Sequence, residues 1–335
     1  MSFKDIKGQE KPIQILKEYI RHSRLAESYL FIGPEGVGKK LVAKTLAKTL
    51  NCEEEILDSC DRCASCLKIE KGQHPDVHII DSSTKVYIDA QGIKPDNGDS
   101  EAIGINHIRQ LQQDISLRAY EGKIKVFIID DAHNLTAAAS NALLKILEEP
   151  PKDSLIILIT AKPTLLFKTI LSRCQILKFY PLTRPALEDI LKKDYSLDSS
   201  LAHFLAYFCE GRFGLALALK DTQIFQEKNR VIDEFAFSRQ TSIDTLPIRN
   251  RQDIRFYLNI LASWFRDIYL IKTGVAHFEL INLDRKKDLL RLMQRFSFAD
   301  LDEILAILSN SSFYLEHNIN TKLLLSNLKV GLWKE

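Results

Sequence analysis

Residues 28–50 read SYLFIGPEGVGKKLVAKTLAKTL, and the fold turns on how this stretch is read. A short apolar run over 28–32 enters a turn carrying Gly33, Gly36 and Gly38. Leu41, Val42, Leu46 and Leu50 then recur at helical spacing over 38–50. The turn fits the pattern G-x-x-x-x-G-K. Its glycines let backbone amides turn inward around phosphate, the following helix presents its free N–H groups, and Lys39 reaches the outer phosphates. The next residue is ordinarily Ser or Thr, whose hydroxyl holds Mg2+; here it is Lys40, whose ammonium coordinates no cation and adds positive charge. Gly33, Gly36, Gly38, Lys39 and Lys40 are the candidate nucleotide-binding residues, with ATP and Mg2+ as the ligands this type of loop takes. The residues indicate descent from a nucleotide-binding loop, leave present binding open and argue against efficient hydrolysis.

Downstream, KVFII at 125–129 runs into Asp130 and Asp131. A carboxylate at such a strand end is placed to hold magnesium, which makes Asp130 the candidate ligand. Asp131 takes the position of a water-activating glutamate with a side chain one methylene shorter, and general-base geometry is sensitive to that reach. The alternative is a pair of turn residues with Asp130 capping the next element. Further apolar segments at 77–80, 155–160 and 175–180 read as strands, and 105–115 and 136–148 as helices, the latter stopped by Pro150-Pro151. Residues 81–104 read as an exposed excursion. Five short apolar strands separated by helices predict an α/β fold with a mostly parallel sheet covered on both faces.

After Pro181 nothing reads as strand. Segments 186–193, 200–209, 213–220, 287–295, 300–309 and 319–332 read as helices. Tyr257, Leu261, Trp264, Phe265, Ile268 and Tyr269 keep a helical rhythm that favours a buried face over a base-stacking platform.

Four of the six cysteines cluster as C-x7-C-x2-C-x2-C: Cys52, Cys60, Cys63 and Cys66. Four thiolates can surround one zinc ion tetrahedrally, and two-residue spacers let a tight turn aim two sulfurs at one point. One structural Zn2+ is the expectation; unconnected thiols, a redox pair or an iron–sulfur cluster are the alternatives. Cys174 and Cys209 read as small core side chains.

A chain of 335 residues suggests two or three domains. With 45% apolar and 27% charged residues it is not a mostly disordered chain. Its 46 Lys+Arg against 44 Asp+Glu exclude a binder basic over its whole surface, although residues 1–50 carry ten basic against five acidic side chains. No apolar run approaches the roughly 18–20 residues of a membrane span, and the N-terminus has no signal-peptide core, so no membrane partner is expected.

Taken together, these residues resemble the delta-prime clamp-loader subunits of bacterial DNA polymerase III, in the AAA+ superfamily. The likeness rests on the loop at 33–39, the cysteine module at 52–66, His74-Pro75-Asp76, IIDDAHNLTAAASNALLKILEEPP at 128–151, Thr160 and Ser172-Arg173-Cys174. It implies an AAA+ module over 1–181 with the zinc insertion, a helical lid over 182–245 and an all-helical collar domain over 246–335. It implies Thr160 as the sensor residue, and Arg173 as an arginine acting in trans on a neighbour's ATP site. The implied partners are gamma/tau ATPase subunits, the delta subunit and, through the assembled complex, the beta sliding clamp and primed DNA. The implied location is the cytoplasm, at the nucleoid during replication. The implied role is to help load the clamp within DNA-directed DNA polymerase III, without autonomous ATPase activity. A gamma/tau-like ATPase is the competing reading. Lys40 and Asp131 oppose it, as does Gly214, which stands where the lid motif of active members carries a phosphate-sensing arginine.

Overall fold

Strand β1 (Ser28–Ile32) is sandwiched between two strands that arrive much later in the chain. A computed structural model of the protein describes residues 1–84, 102–238, 251–274, 279–315 and Lys329. With β2 (Val77–Ile80), β3 (Lys125–Ile129), β4 (Ser154–Thr160) and β5 (Gln175–Lys178), β1 forms a parallel sheet of order β2-β3-β4-β1-β5. Both faces are covered, which is why the central strands are apolar at consecutive positions. Tyr29, Phe31, Val126, Ile128, Ile157 and Ile159 pack on one face with Ile13 and Leu16 of α1 (Glu10–Arg21) and Val42 and Leu46 of α2 (Lys39–Asn51). Helix α3 (Ala64–Glu70) lies within and just beyond the cysteine module. On the other face Leu30, Phe127, Ile129, Ile156 and Leu158 meet α4 (Ile105–Ser116), α5 (Ala137–Glu148) and Ile170 of α6 (Lys168–Leu171). Each fully buried large apolar side chain is worth about 1.5–3 kcal/mol relative to exposure.

The chain divides into two compact units, Met1–Leu182 with Arg212–Gly214, and Thr183–Gly211 with Leu215–Glu335. The second holds α7 (Arg184–Tyr195), α8 (Ser199–Phe208), nearly all of α9 (Phe213–Lys220), α10 (Ile224–Ile232), α11 (Arg251–Lys272), α12 (Lys286–Met293) and α13 (Phe298–Leu315). Its core is built around Tyr257, Leu261, Trp264, Phe265 and Ile268, all buried, so the aromatic rhythm marks a core face. Of the helix expected over 319–332 only Lys329 is among the described residues, and 85–101 of the expected excursion lie outside them.

The start of that excursion is exposed at Ser82 and Ser83, but its far end is not. Ile103 is fully buried, donates its N–H to the Asn134 carbonyl (2.9 Å) and accepts from the Thr136 N–H (3.1 Å). The run Ala102-Ile103-Gly104-Ile105 is too short to carry a periodic signal, so sequence reading missed this bridge to Leu135.

His74-Pro75-Asp76 organises the approach to β2. Asp76 is fully buried, and its carboxylate accepts backbone N–H groups from Tyr120 (2.8 Å), Glu121 (2.9 Å) and Gly122 (2.7 Å). Burial works against the charge, but the three amides outweigh it and hold the carboxyl below its ordinary value. Asn would keep one acceptor and turn a donor toward a backbone donor. We expect Asp76→Asn to cost about 2–3 kcal/mol, read as a lower urea midpoint. Because the folded pKa is depressed, this contribution is present above the unfolded pKa of about 4 and is lost as pH falls through the lower folded value. The two stability curves should therefore converge in acid. Equal midpoints at neutral pH would refute the assignment.

Candidate functional site

The glycine turn is built where backbone must approach backbone. A Cβ on Gly33 would sit 2.4 Å from the Phe179 carbonyl oxygen, and Gly36 and Gly38 have φ of +76° and +99°, which side chains disfavour. Gly38 is the residue from which α2 starts, so the helix N-terminus faces the turn. Lys39, only 7% exposed, is folded back: its ammonium donates to the Gly33 and Pro34 carbonyls, each at 2.6 Å. Burial lowers its pKa, and the charges of Asp130, Asp131 and Glu35 oppose the shift.

Lys40 points across the turn to the sheet. Its ammonium lies 3.0 Å from Asp130 Oδ2 and 3.8 Å from Asp81 Oδ2. The β2–β3 register pairs Ile80 with Ile129, so the residues that follow each strand, Asp81 and Asp130, fall side by side. Asp130 accepts the Asp131 N–H on its Oδ1 at 3.2 Å, within the turn that leaves β3. The element that follows is a short 3-10 turn over Ala132–Asn134, where Asp131 holds the capping position without a side-chain cap bond, and α5 is capped by Thr136, whose hydroxyl accepts from the Ala139 N–H at 3.2 Å. Asp131 has a left-handed backbone, φ +49°, uncommon for a residue with a side chain. Its carboxyl is pushed above the ordinary value, by partial desolvation first and then by the charges of Asp130 and, more weakly, Glu35. Thr160, buried at the end of β4, has its hydroxyl 3.3 Å from His133 Nδ1 and accepts from the Lys162 N–H at 3.0 Å.

Arg212–Gly214 pack as part of the first unit, and there Gly214 meets the phosphate loop. Its N–H donates to the Gly36 carbonyl at 2.7 Å, and a Cβ on Gly214 would lie 2.8 Å from that same oxygen. Any larger residue at this position would need the loop to move.

Arg173 lies between α6 and the edge strand β5. Its guanidinium donates to Glu148 Oε1 at 2.7 Å and to the Thr169 carbonyl at 3.0 Å, with the side chain one-third exposed. The arginine is thus held by its own chain at the sheet's edge. Sequence reading missed Glu148, Asp81 and His133, because each meets its partner only through the tertiary fold. For Asp81 a signal existed: a carboxylate immediately after the strand that neighbours β3.

The four cysteines converge. Their sulfurs all lie within 4.8 Å of one another, Cys52, Cys63 and Cys66 buried and Cys60 half-buried. Backbone N–H groups of Glu55, Cys63 and Cys66 point at the sulfurs of Cys52, Cys60 and Cys63, at 3.3, 3.3 and 3.5 Å. Burial disfavours the Cys52 thiolate, but surrounding amides outweigh it and draw this thiol down to about 7; burial pushes Cys66 up. A tetrahedral ion with Zn–S of about 2.3 Å spaces its sulfurs by about 3.8 Å, so the donor set fits. The module is anchored by Lys48, which is buried and paired with Asp61 (2.6 Å) and Glu70 (2.9 Å). It is tied to the start of the chain by the Phe3 N–H donating to Asp58 Oδ1 at 2.7 Å.

Sheet order, glycine loop and inserted thiol cluster define an α/β protein of the phosphate-loop class with a metal-fitting insertion. Residues 8–183 match the family described as DNA polymerase III, delta subunit, and residues 222–330 match DNA polymerase III, delta subunit, C terminal. The chain is 30% identical to DNA polymerase III subunit delta' of Bacillus subtilis, over 97% of this chain and 96% of that protein. It belongs to the family of DNA polymerase III delta-prime subunits. It is also 32% identical to subunit tau of Bacillus subtilis over 66% of this chain and 38% of tau, and 34% identical to tau of Escherichia coli over 67% and 33%. It is therefore a delta-prime homologue of the clamp loader that is related to gamma/tau, and the delta-prime reading stands over the gamma/tau alternative. Among the described residues no helix is long and apolar enough to cross a membrane.

The residues do not fit Mg2+ as they fit a tetrahedral ion. Lys40 stands where a hydroxyl ligand would be needed, and the candidate carboxylate, Asp130, is engaged by that same side chain.

Proposed function

We propose that this chain organises the ATP site of a neighbouring clamp-loader subunit and itself turns over little or no ATP. The observation that carries this reading is the Lys40–Asp130 ion pair, which takes up the carboxylate a magnesium-dependent hydrolase would need free. Asp131, with its shortened reach, and Gly214, pressed on Gly36, support it. On this reading residues 1–181 are the AAA+ module, 182–245 the lid and 246–335 the collar domain. Cys52, Cys60, Cys63 and Cys66 hold one structural Zn2+. Arg173 acts in trans. The partners are gamma/tau and delta subunits and, through the complex, the beta clamp and primed DNA. The cytoplasm is the location that goes with these partners.

The test is to mix the purified chain with candidate gamma/tau and delta subunits and measure assembly and clamp loading. Failure to assemble would overturn the reading. A second expected outcome is that the isolated chain shows negligible ATP hydrolysis. A turnover of about 1 per second, in the range of working phosphotransfer enzymes, that vanishes in Lys39→Ala would contradict it. Lys40→Thr alone should not restore such a rate, because Asp131 and Gly214 remain.

A further inference from the structure

The mismatch between this loop and Mg2+ has a positive side. We propose that Lys40 is the site's resident cation: its tethered ammonium stands in for the divalent ion on Asp130, and the loop takes polyphosphate, where it takes it at all, in the metal-free form. This deepens the reading that the chain is not an ATPase, and rests on it.

Three placements carry the inference. Asp130 sits at the end of β3, and Lys40 in the first turn of α2; the ammonium spans the gap at 3.0 Å, with Asp81 contributing a second carboxylate at 3.8 Å. The Lys40 side chain is still 47% exposed, so its charge is not sealed from an incoming anion. Beside it Lys39 is buried and satisfied by the loop's own carbonyls, so the accessible positive charge at the turn belongs to Lys40. A divalent ion brought to Asp130 would have to displace an ammonium that cannot leave, being covalently attached one residue from the loop. It would then share the site with that positive charge. A triphosphate meets the opposite situation: Lys40 can turn from a carboxylate oxygen to a phosphate oxygen with no change in the kind of bond it makes. Magnesium held by phosphate oxygens would compete with Lys40 for the same oxygens rather than help bind them.

The measurement uses the full, zinc-loaded chain, Mn2+ as a spin probe for the divalent site, and ATP as the polyphosphate. In the wild-type chain we expect no Mn2+ bound at the loop, with or without ATP, and ATP affinity equal in Mg2+ and in EDTA. In Lys40→Ser we expect a new Mn2+ site, abolished by adding Asp130→Asn, and ATP affinity that falls about tenfold or more when metal is removed. Wild-type ATP binding that needs Mg2+, or a wild-type Mn2+ site lost in Asp130→Asn, would overturn the proposal. So would a Lys40→Ser chain that folds, by its unfolding transition, yet gains no Mn2+ site. If the wild-type chain binds no ATP under either condition, the Mn2+ comparison alone decides. None of these readouts involves other subunits. A chain that fails to assemble would sink the organising role and leave this inference standing; a metal-dependent wild-type loop would sink this inference, and with it the ion-pair argument for low turnover, and leave assembly untouched.

Discussion

Complexes assembled with an Arg173→Ala chain are expected to load clamps at least about tenfold more slowly than wild type, with a smaller loss of total ATP hydrolysis. A trans-acting arginine is worth on the order of 10³–10⁵ in rate in well-studied nucleotide hydrolases. A ring with several ATP sites dilutes the loss of one site in the summed hydrolysis, but loading needs the sites to act together. The guanidinium is planar, permanently charged and able to fork onto phosphate oxygens, so Arg173→Lys should recover little. The isolated chain should fold almost as well as before. Removing Arg173 gives up a half-exposed ion pair with Glu148, and such pairs are worth about 0.2–1 kcal/mol. The pair also sets the order of events on this reading, since Arg173 must leave Glu148 before it can serve a neighbour. The comparison is steady-state loading at matched subunit stoichiometry. Equal rates with intact assembly would return Arg173 to an ordinary surface charge.

The second large effect is local. Stripping the thiol cluster with a chelator, or Cys63→Ser, should loosen residues 52–70 while the parallel sheet stays folded. Thiols cannot pre-form such a cage in an unfolded segment, so metal binding contributes folding energy, on the order of 10 kcal/mol in zinc-finger peptides. Here part of the anchoring survives without metal. Lys48 keeps its carboxylate partners, and Asn51 Oδ1 still accepts the Lys123 and Ile124 N–H groups at 2.8 and 3.0 Å. Amide exchange should therefore rise sharply in 52–70 and little in β1, β3 and β4. Elemental analysis finding no metal in protein purified under reducing conditions would end the zinc assignment.

The strands and the loop were legible because their signals are local. Central parallel strands are buried on both faces and read as unbroken apolar runs, and a phosphate loop is a string of neighbours. The thiol cluster was legible for the same reason, with four ligands within 15 residues. Helix α1 was missed although Ile13, Leu16 and Ile20 recur at helical spacing and Glu10 and Arg21 stand in its first and last turns; what it lacks is a capping residue, since Gln9 makes no side-chain cap. Helix α3 hides among the cysteines, where Cys63 itself accepts the capping N–H. The pairings that decide the chemistry lie far apart in sequence: Lys40 with Asp130, Arg173 with Glu148, Gly214 with Gly36. Residue type alone could say that Lys40 is no magnesium ligand. Only the crossing of β3 beside α2 could say what it does instead.

The strand order also governs how the chain can be made. β1 is complete at residue 32, yet its two hydrogen-bonded neighbours are not synthesised until 154–160 and 175–178. At about 5–20 residues per second, the apolar segment Tyr29–Ile32 leaves the ribosome on the order of ten seconds before either flank exists. The four cysteines that could hold an ion are all synthesised by residue 66. A nascent chain stalled short of Ser154 should therefore carry metal while the middle of its sheet is still missing, and that interval is when a chaperone has most reason to hold it.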